Sequence, residues 1–379
     1  MRINQTFFGE TNLREKLCFS LITAKAIRIV QIRSKSTDPG INKAEECFLN
    51  LLIKISNGTT IRINDTGTNI NFIPGTLIGL KNNETIKCEK SRGIAYYLEP
   101  LLLLSFFCKD NVDVNLSGVT DCESDLSVDL IRKTWLPIVK KFVGAAAASE
   151  ISIRVVKRGL QPFGGGIVHV ISKPVNVIIP NQLVFPGKIH KIRGIAWTCN
   201  SNRTHANQMI AAAKEILLKC LTNVYINIEN VTQDGVGKSL GFGITLWAES
   251  KEGAFYSAQA ISEPQTPGQY SKPTIPHDLG IQAAGNLLQE IYNGGFVDRG
   301  FQSFILTLMS LEGGRNINQL CIGNPTPYSI ETLRLINTFL GVKFHLKYIE
   351  EDETLDNVPS RIIATCISSG LQNTSRTLR

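Results

Sequence analysis

The chain has 379 residues, 43% hydrophobic and 19% charged, which is typical of a globular protein with a large core and excludes a disordered chain. Its 40 Lys and Arg outnumber its 32 Asp and Glu, giving a formal charge of +8 and a preference for polyanionic partners. Nine scattered cysteines without a Cys-x-x-Cys pair predict buried reduced thiols, and five histidines without metal-ligand spacing argue against a zinc site.

No segment has the features of a secretory signal or a membrane anchor. Residues 1–8 lack an apolar stretch of secretory length, so we expect the chain to stay in the compartment where it is made. The most apolar stretch, residues 96–108, is shorter than the roughly 20 residues that span a bilayer, and it contains Glu99 and Pro100. We therefore expect a buried core segment and no membrane partner.

The first predicted unit is a helix followed by two paired strands. Alternation around residues 61–63 and 70–72 predicts the strands, which Pro74-Gly75 closes. The helix ends at Asn57-Gly58, and its apolar face is formed by Ala44, Cys47, Phe48, Leu51, Leu52 and Ile55.

The same order of elements recurs further along the chain. An apolar stripe over residues 128–142 predicts a second helix that stops at Gly144. Strands are predicted at residues 152–156 and 167–171, joined through the glycine turn at residues 162–166. Further helices are expected at residues 278–309, interrupted at 293–295, and at residues 329–340. Repeated βα units of this size predict an α/β layered fold.

The order of predicted helices and strands changes between residues 187 and 268. A strand, a helix at residues 206–221, a strand at 224–228, the alternating stretch 242–248 and a strand from Ala254 are predicted there. These elements are enough for a small inserted α/β domain. We therefore predict a large domain in two parts, residues 1–186 and 269–367, an insert at 187–268, and a mobile polar tail at 368–379.

Gly235-Val236-Gly237-Lys238-Ser239 resembles part of a nucleotide-binding P-loop, in which glycines and a lysine surround phosphates. The full pattern fails, because Thr232 stands where the first glycine belongs and an alternating strand follows where a helix should begin. We predict a hairpin turn.

Other groups of residues indicate function only weakly. The glycine turn and three basic groups could meet phosphate: Arg33 with Lys35; Lys188, Lys191 and Arg193; Lys157 with Arg158. The acidic run at residues 350–353 is best explained by solubility. No Ser, His and Asp set or pair of carboxylates stands out as a catalytic centre.

Several motifs, in order, resemble the RNA 3′-terminal phosphate cyclase family, and in particular its eukaryotic cyclase-like branch. They extend from about Thr6 to Tyr348 and include Asn12-Leu13-Arg14, Asp38-Pro39-Gly40, Thr66-Gly67-Thr68, Arg158-Gly159, Pro186-Gly187-Lys188 and Asn324-Pro325-Thr326-Pro327-Tyr328. The resemblance implies a large domain of three repeated βα units with a smaller α/β domain inserted in the third.

The same resemblance implies that catalysis is lost. Cyclases of this family pass AMP from ATP through a histidine nucleophile, and Tyr328 stands at its position here. Phe7 and Phe301 fall where the family has acidic residues, with Glu10 and Thr11 replacing a glycine and a glutamine. We therefore expect no cyclase activity, no catalytic residue, no cofactor and no metal.

The positions at which cyclases of this family contact phosphate match better than the catalytic positions do. Arg14 and Arg33 fall on arginines that cyclases use around phosphate, although Ser36 replaces a further arginine. Together with Lys35, Lys188 and Arg193 they are the predicted anion- or RNA-binding residues.

The branch implies a function in the nucleus and nucleolus. We expect an assembly factor of the small-subunit processome, needed for pre-rRNA processing to 18S rRNA, that is a monomer before assembly. Its expected partners are a ribosome-assembly GTPase, a small nucleolar ribonucleoprotein particle and pre-rRNA. Two alternatives remain open: an active RNA enzyme, either a pre-rRNA endonuclease or a divergent cyclase, and a protein-interaction module without RNA contact.

Overall fold

The computed structural model describes residues 3–229, 235–264, 273–349 and 361–373, and the predicted acidic run at 350–353 lies outside them. The first unit places β1 beside β2 in parallel, and β5 and β4 follow antiparallel, so the sheet order is β1-β2-β5-β4. A two-stranded pair, β3 and β6, lies beside it. Its elements are β1 (Gln5–Phe8), α1 (Leu13–Thr23), β2 (Ile27–Val30), α2 (Lys43–Ile55), β3 (Ser56–Asn57), β4 (Thr60–Ile63), β5 (Ile70–Ile73) and β6 (Thr76–Leu77).

The second unit repeats this topology. Its sheet has the order β7-β8-β10-β9, again with one parallel pair followed by two antiparallel pairs. The elements are β7 (Leu80–Lys87), α3 (Ala95–Ser105), β8 (Val112–Gly118), α4 (Val128–Leu130), a π-helical turn (Ile131–Trp135), α5 (Leu136–Phe142), α6 (Gly144–Glu150), β9 (Ser152–Lys157) and β10 (Gly166–Ser172).

A third unit begins with β11 (Gln182–Leu183), after which the chain enters a different sheet of order β13-β12-β14-β15. Two helices cover one face of this sheet. Gly280 lets them approach closely, because a Cβ there would lie 2.3 Å from the carbonyl oxygen of Met209. The elements are β12 (Ile189–Cys199), α7 (Thr204–Leu217), β13 (Val224–Glu229), β14 (Gly241–Ser250), β15 (Phe255–Ile261) and α8 (Pro276–Asn293).

The chain then returns to complete the third unit, whose sheet order is β11-β16-β18-β17. Three sheets thus share one topology and a fourth is inserted, so the predicted α/β fold with three repeats and an insert is confirmed. The remaining elements are α9 (Gln302–Ser310), β16 (Ile317–Ile322), α10 (Pro327–Leu340), β17 (Phe344–Ile349) and β18 (Arg361–Ile367).

The first helices of the three repeats meet in the interior. Side chains of α1, α3 and α9 line one cavity of about 20 Å³, enough for about one water molecule. Most of its lining is apolar, but Arg14 and Glu15 from α1 and Glu99 from α3 also reach it. Three charged side chains therefore lie where the repeats join.

Two details of the predicted organisation differ from the structure. Gly144 ends one helix but also begins the next, α6. Helix α8, predicted within the large domain, packs on α7 and on β14 and β15, because its apolar stripe could not indicate which sheet it covers. The predicted boundary at residue 268 lies outside the described residues.

The tail prediction is wrong for residues 368–373. The side-chain amide of Asn373 lies 3.0–3.1 Å from the carbonyl oxygens of Phe106, Cys108 and Val175, and Ser368 is also buried. These buried hydrogen bonds hold the segment against the second unit. Residues 374–379 lie outside the described part.

Candidate functional site

Tyr328 lies in the first turn of α10, facing the start of α1. The capping box of Thr326 and Ser329 fixes this turn. Nη2 of Arg14 donates a 3.2 Å hydrogen bond to the phenol oxygen of Tyr328. Nδ2 of Asn12 donates to the Tyr328 carbonyl at 3.2 Å and to the Thr332 hydroxyl at 3.1 Å. The structure thus brings two predicted site residues, Arg14 and Tyr328, into contact.

The charge of Arg14 is already compensated within the protein. Its Nη1 donates to the Tyr96 carbonyl at 2.7 Å and lies 3.2 Å from Oε2 of Glu99. Burial disfavours the charged guanidinium, but the carboxylates of Glu99 and Glu15 outweigh it and raise the pKa of Arg14. Burial also raises the pKa of Glu15 to about 7.

Two arginines enclose the ring of Tyr96. The guanidinium carbon of Arg14 is 4.3 Å from the ring centroid and that of Arg92 is 4.2 Å from it. Arg92 in turn binds both carboxylate oxygens of Asp125. Burial raises the pKa of Tyr96 to about 12. Sequence reasoning missed Tyr96, Arg92 and Asp125; the one available signal in this region was Glu99, a charge inside an apolar helix.

Arg33 is also held by an internal carboxylate. It donates to Glu45 at 3.1 Å through Nη1 and to the Gly40 carbonyl at 2.8 Å through Nε, and a second, shorter bond joins Nη2 to Glu45. Glu45 is at the same time the capping-box residue of α2. The backbone N–H of Arg33, whose φ is 43°, donates to the carboxylate of Glu10. The hydrogen bond to Glu45 raises the pKa of Arg33.

Aromatic packing surrounds the two positions predicted to have lost a carboxylate. Phe7 stacks on Phe339 at a centroid distance of 5.4 Å, and Nζ of Lys16 lies 5.5 Å from the Phe7 ring. Phe301 is 1% exposed and stacks on Trp135 at 4.3 Å. Neither ring can bind a metal ion or accept a proton.

The cleft is defined by Arg14, Arg33, Tyr96 and Tyr328, and the other three predicted anion-binding residues are not part of this group. Lys35 is exposed in the loop after β2, and Lys188 is exposed just before β12. Arg193, on β12, donates to the carbonyl and side-chain oxygens of Asn223 at 3.2 and 3.0 Å. Within the described residues, no side-chain hydrogen bond or ion pair joins any of them to Arg14 or Arg33.

Two sequence interpretations near Arg158 need correction. Arg158, considered for RNA binding, is 1% exposed and paired with Asp121 and Asp129 at 2.5 and 2.6 Å and with Glu229, so it is a structural residue. The 235–239 segment pairs with it: the backbone N–H of Arg158 donates to the Gly235 carbonyl at 2.9 Å.

The 235–239 segment is neither a phosphate cradle nor a hairpin turn. The Ser239 hydroxyl donates to the Leu160 carbonyl at 2.7 Å and accepts from the N–H of Phe163 at 3.1 Å, so it is fully engaged. The predicted strand does follow, as β14. However, β13 and β14 lie on opposite sides of β12, so the loop crosses between them.

No group of three metal-ligating side chains occurs among the described residues, and no helix there is long and apolar enough to cross a bilayer. No disulfide bond joins the cysteines within that same part of the chain, and seven of the nine are buried.

Comparison with known proteins agrees with the motif order. A family model described as RNA 3′-terminal phosphate cyclase matches residues 5–346. The human RNA 3′-terminal phosphate cyclase-like protein is 38% identical over 375 residues, covering 99% of this chain and 98% of the human one. The Dictyostelium discoideum probable RNA 3′-terminal phosphate cyclase-like protein is 37% identical over 377 residues, 98% of each chain. The Schizosaccharomyces pombe rRNA processing protein rcl1 is 30% identical over 376 residues, also 98% of each chain.

Proposed function

The chain belongs to the RNA 3′-terminal phosphate cyclase family, and from that premise we propose that it is a catalytically inactive member that acts in rRNA processing. The name of the similar fission yeast protein, an rRNA processing protein, supports the biological process. The cyclase-like names of the other relatives support the loss of cyclase activity. The contact between Arg14 and Tyr328 is the structural observation that carries the proposal.

Tyr328 is poorly suited to replace a histidine nucleophile. A neutral imidazole offers a free nitrogen lone pair at pH 7, whereas a phenol ordinarily ionises only near pH 10. The Tyr328 oxygen already accepts a hydrogen bond from Arg14, which fixes its orientation. We propose that it closes the cleft instead of attacking ATP.

The charges of the cleft support the same proposal. Arg14 faces Glu99, and Arg33 faces Glu45, so a triphosphate would have to displace a carboxylate at each arginine. Separating such partly buried pairs is costly. Phe7 and Phe301 are packed on other aromatic rings, at positions where the family has acidic residues. We propose that Arg14 and Arg33 now hold the repeats together.

Contact with pre-rRNA then depends on residues outside the cleft. Lys35 and Lys188 are exposed and make no ion pair with any residue in the described ranges. Arg193 uses Nη1 to bond the carbonyl and side-chain oxygens of Asn223. We propose that the two lysines contribute to phosphate contacts, aided by the formal charge of +8.

The finer biological role is also a proposal. It comprises binding of a ribosome-assembly GTPase and of a small nucleolar ribonucleoprotein particle, within the nucleolar small-subunit processome, in the steps that lead to 18S rRNA. Family membership and the rRNA processing name of one relative support it.

Depletion and rescue test this function. We expect depletion to cause small-subunit rRNA precursors to accumulate, and both the wild type and Tyr328→Phe to restore their processing, because the phenol hydroxyl has no chemical role. Failure of depletion to affect any rRNA precursor would refute the role in processing. Rescue by wild type but not by a folded Tyr328→Phe protein would refute inactivity.

A further inference from the structure

The outer face of the first sheet has an unusual charge distribution. Its four strands read QTFF, IRIV, INFI and TIRI, so the only charged residues on them are Arg28 and Arg62. Burial alternates along β1 and β2, which turns Thr6, Phe8 and Arg28 to solvent while their neighbours face the core. The charged residues on the strands of this face are therefore all positive.

The strand register aligns the two arginines in one row. Arg28 pairs with Asn71, and Asn71 pairs with Arg62 on the edge strand β4. Two strand spacings place their backbones about 10 Å apart. Both arginines are exposed, and neither has an ion pair or hydrogen bond to a described residue. Between them, the buried Oδ1 of Asn71 has no hydrogen-bond partner in the same part of the chain.

An exposed aromatic ring lies on the same face. Phe8 is 67% exposed, and it pairs with Val30, two positions along β2 from Arg28. Such diagonal neighbours on one face of a sheet are within reach of long side chains. Exposed aromatic rings next to unpaired arginines on a sheet surface are a combination that binds single-stranded nucleic acid, through base stacking and phosphate contacts.

The other two repeats provide internal comparisons. In the second sheet the equivalent row is Asn115, His169 and Arg154, and His169 is bonded to Asp113 at 2.8 Å. In the third sheet the row contains Gln319 and Thr365, which are hydrogen-bonded to each other at 3.3 Å. The central polar residue of each of those rows thus has a partner within its own sheet, and the second row carries a single arginine, whereas the first row carries two arginines available for an external anion.

We propose that this outer face binds single-stranded RNA, with Arg28 and Arg62 contacting backbone phosphates and Phe8 stacking on a base. The choice of RNA as the polyanion rests on the proposed role in rRNA processing. The surface is separate from the cleft of Arg14 and Tyr328, because Phe7 packs on Phe339 of α10, the helix that carries Tyr328, and Phe8 points to the opposite side of the sheet.

Fluorescence anisotropy with a short labelled oligouridylate tests the proposal on the full chain at several salt concentrations. We expect Arg28→Gln with Arg62→Gln to weaken binding about tenfold or more and to reduce the slope of log affinity against log salt by about 1.4. Phe8→Ala should weaken binding at least about fivefold with an unchanged slope. The matched control, Arg154→Gln with Lys157→Gln, removes two positive charges from β9, the equivalent edge strand, and should change affinity less than twofold.

Four outcomes would overturn the proposal: no RNA binding by the wild type; equal losses in the matched control; normal affinity in the double arginine variant; or displacement of RNA by an acidic peptide with no effect of Phe8→Ala. Thermal unfolding of each variant must match the wild type, as expected for side chains that are exposed or, for Lys157, half-buried. If depletion still disturbs rRNA precursors while the double variant binds RNA normally, only this inference fails. If depletion has no effect but the variant loses binding, the failure lies with the proposed function.

Discussion

Tyr328 and Arg14 are 314 positions apart in the chain, yet a 3.2 Å hydrogen bond joins the phenol oxygen to Nη2 of the arginine. The same guanidinium contacts the carbonyl and the ring of Tyr96 and the carboxylate of Glu99. One side chain of the first repeat therefore links the second and third repeats.

Arg14→Ala should destabilise the protein strongly. The substitution leaves the carboxylates of Glu99 and Glu15 largely buried without their cation, and losing one partner of such a pair costs about 3 kcal/mol or more. The free energy of unfolding, measured by urea denaturation, should fall by that amount.

Two variants control the Arg14 prediction. Adding Glu99→Gln to Arg14→Ala should recover part of the loss, because the uncompensated charge is reduced. Arg334→Ala, which breaks an exposed pair with Glu331, should change stability by less than about 1 kcal/mol. Equal effects of Arg14→Ala and Arg334→Ala would contradict the structural role of Arg14.

Arg158→Ala should unfold the junction with the inserted sheet rather than act on RNA affinity directly. It removes the cation shared by Asp121 and Asp129 of the second repeat and by Glu229 of β13, at a cost of about 3 to 5 kcal/mol. Lys157→Ala, one residue away, should stay within about 0.5 kcal/mol. A soluble Arg158→Ala protein with wild-type stability would show that this cluster is not structural.

Stability should depend on pH through Asp298. Its carboxyl is buried, accepts the N–H of Phe301 at 3.0 Å and is bonded to Ser257 of β15; burial raises its pKa to about 7. The folded state therefore keeps a proton that the unfolded state loses near pH 4. The free energy of unfolding should fall as pH rises from about 4 to about 7, by on the order of 2 to 4 kcal/mol, and then level off.

Asp298→Asn isolates that contribution. The amide stays neutral at every pH and can still accept the hydrogen bond from Phe301, so urea denaturation of this variant should show a flatter pH profile. Glu15, whose pKa is also raised to about 7, contributes in the same direction in both proteins. Identical profiles for wild type and variant would remove Asp298 as the cause.

Local patterns predicted most of the fold. The apolar spacing of residues 44–55 indicated α2, and the alternation at 242–248 indicated β14, because each element buries one face. The pairing of the strands was harder to predict from the sequence. The loop at 235–239 was mistaken for a hairpin because nothing in the sequence reveals that β12 lies between β13 and β14.

Residues of the site could be predicted from the sequence only where they belong to a family motif. Family motifs indicated Tyr328 and Arg14, and the structure brings them together. They could not indicate that Glu99 and Glu45 compensate the arginines, since those carboxylates come from other helices. Arg158 was misjudged for the same reason: its partners lie 29, 37 and 71 positions away in sequence.

Incubation of the purified protein with labelled ATP and RNA ending in a 3′-phosphate tests the central claim most directly. Because Tyr328 is a hydrogen-bonded phenol in a cleft whose arginines are paired, we predict no label on the protein and no cyclic phosphate on the RNA. The Tyr328→His variant should be equally inactive, since Phe7 and Phe301 remain. Label attached to the wild-type protein, or a cyclic RNA end formed by it, would contradict the account.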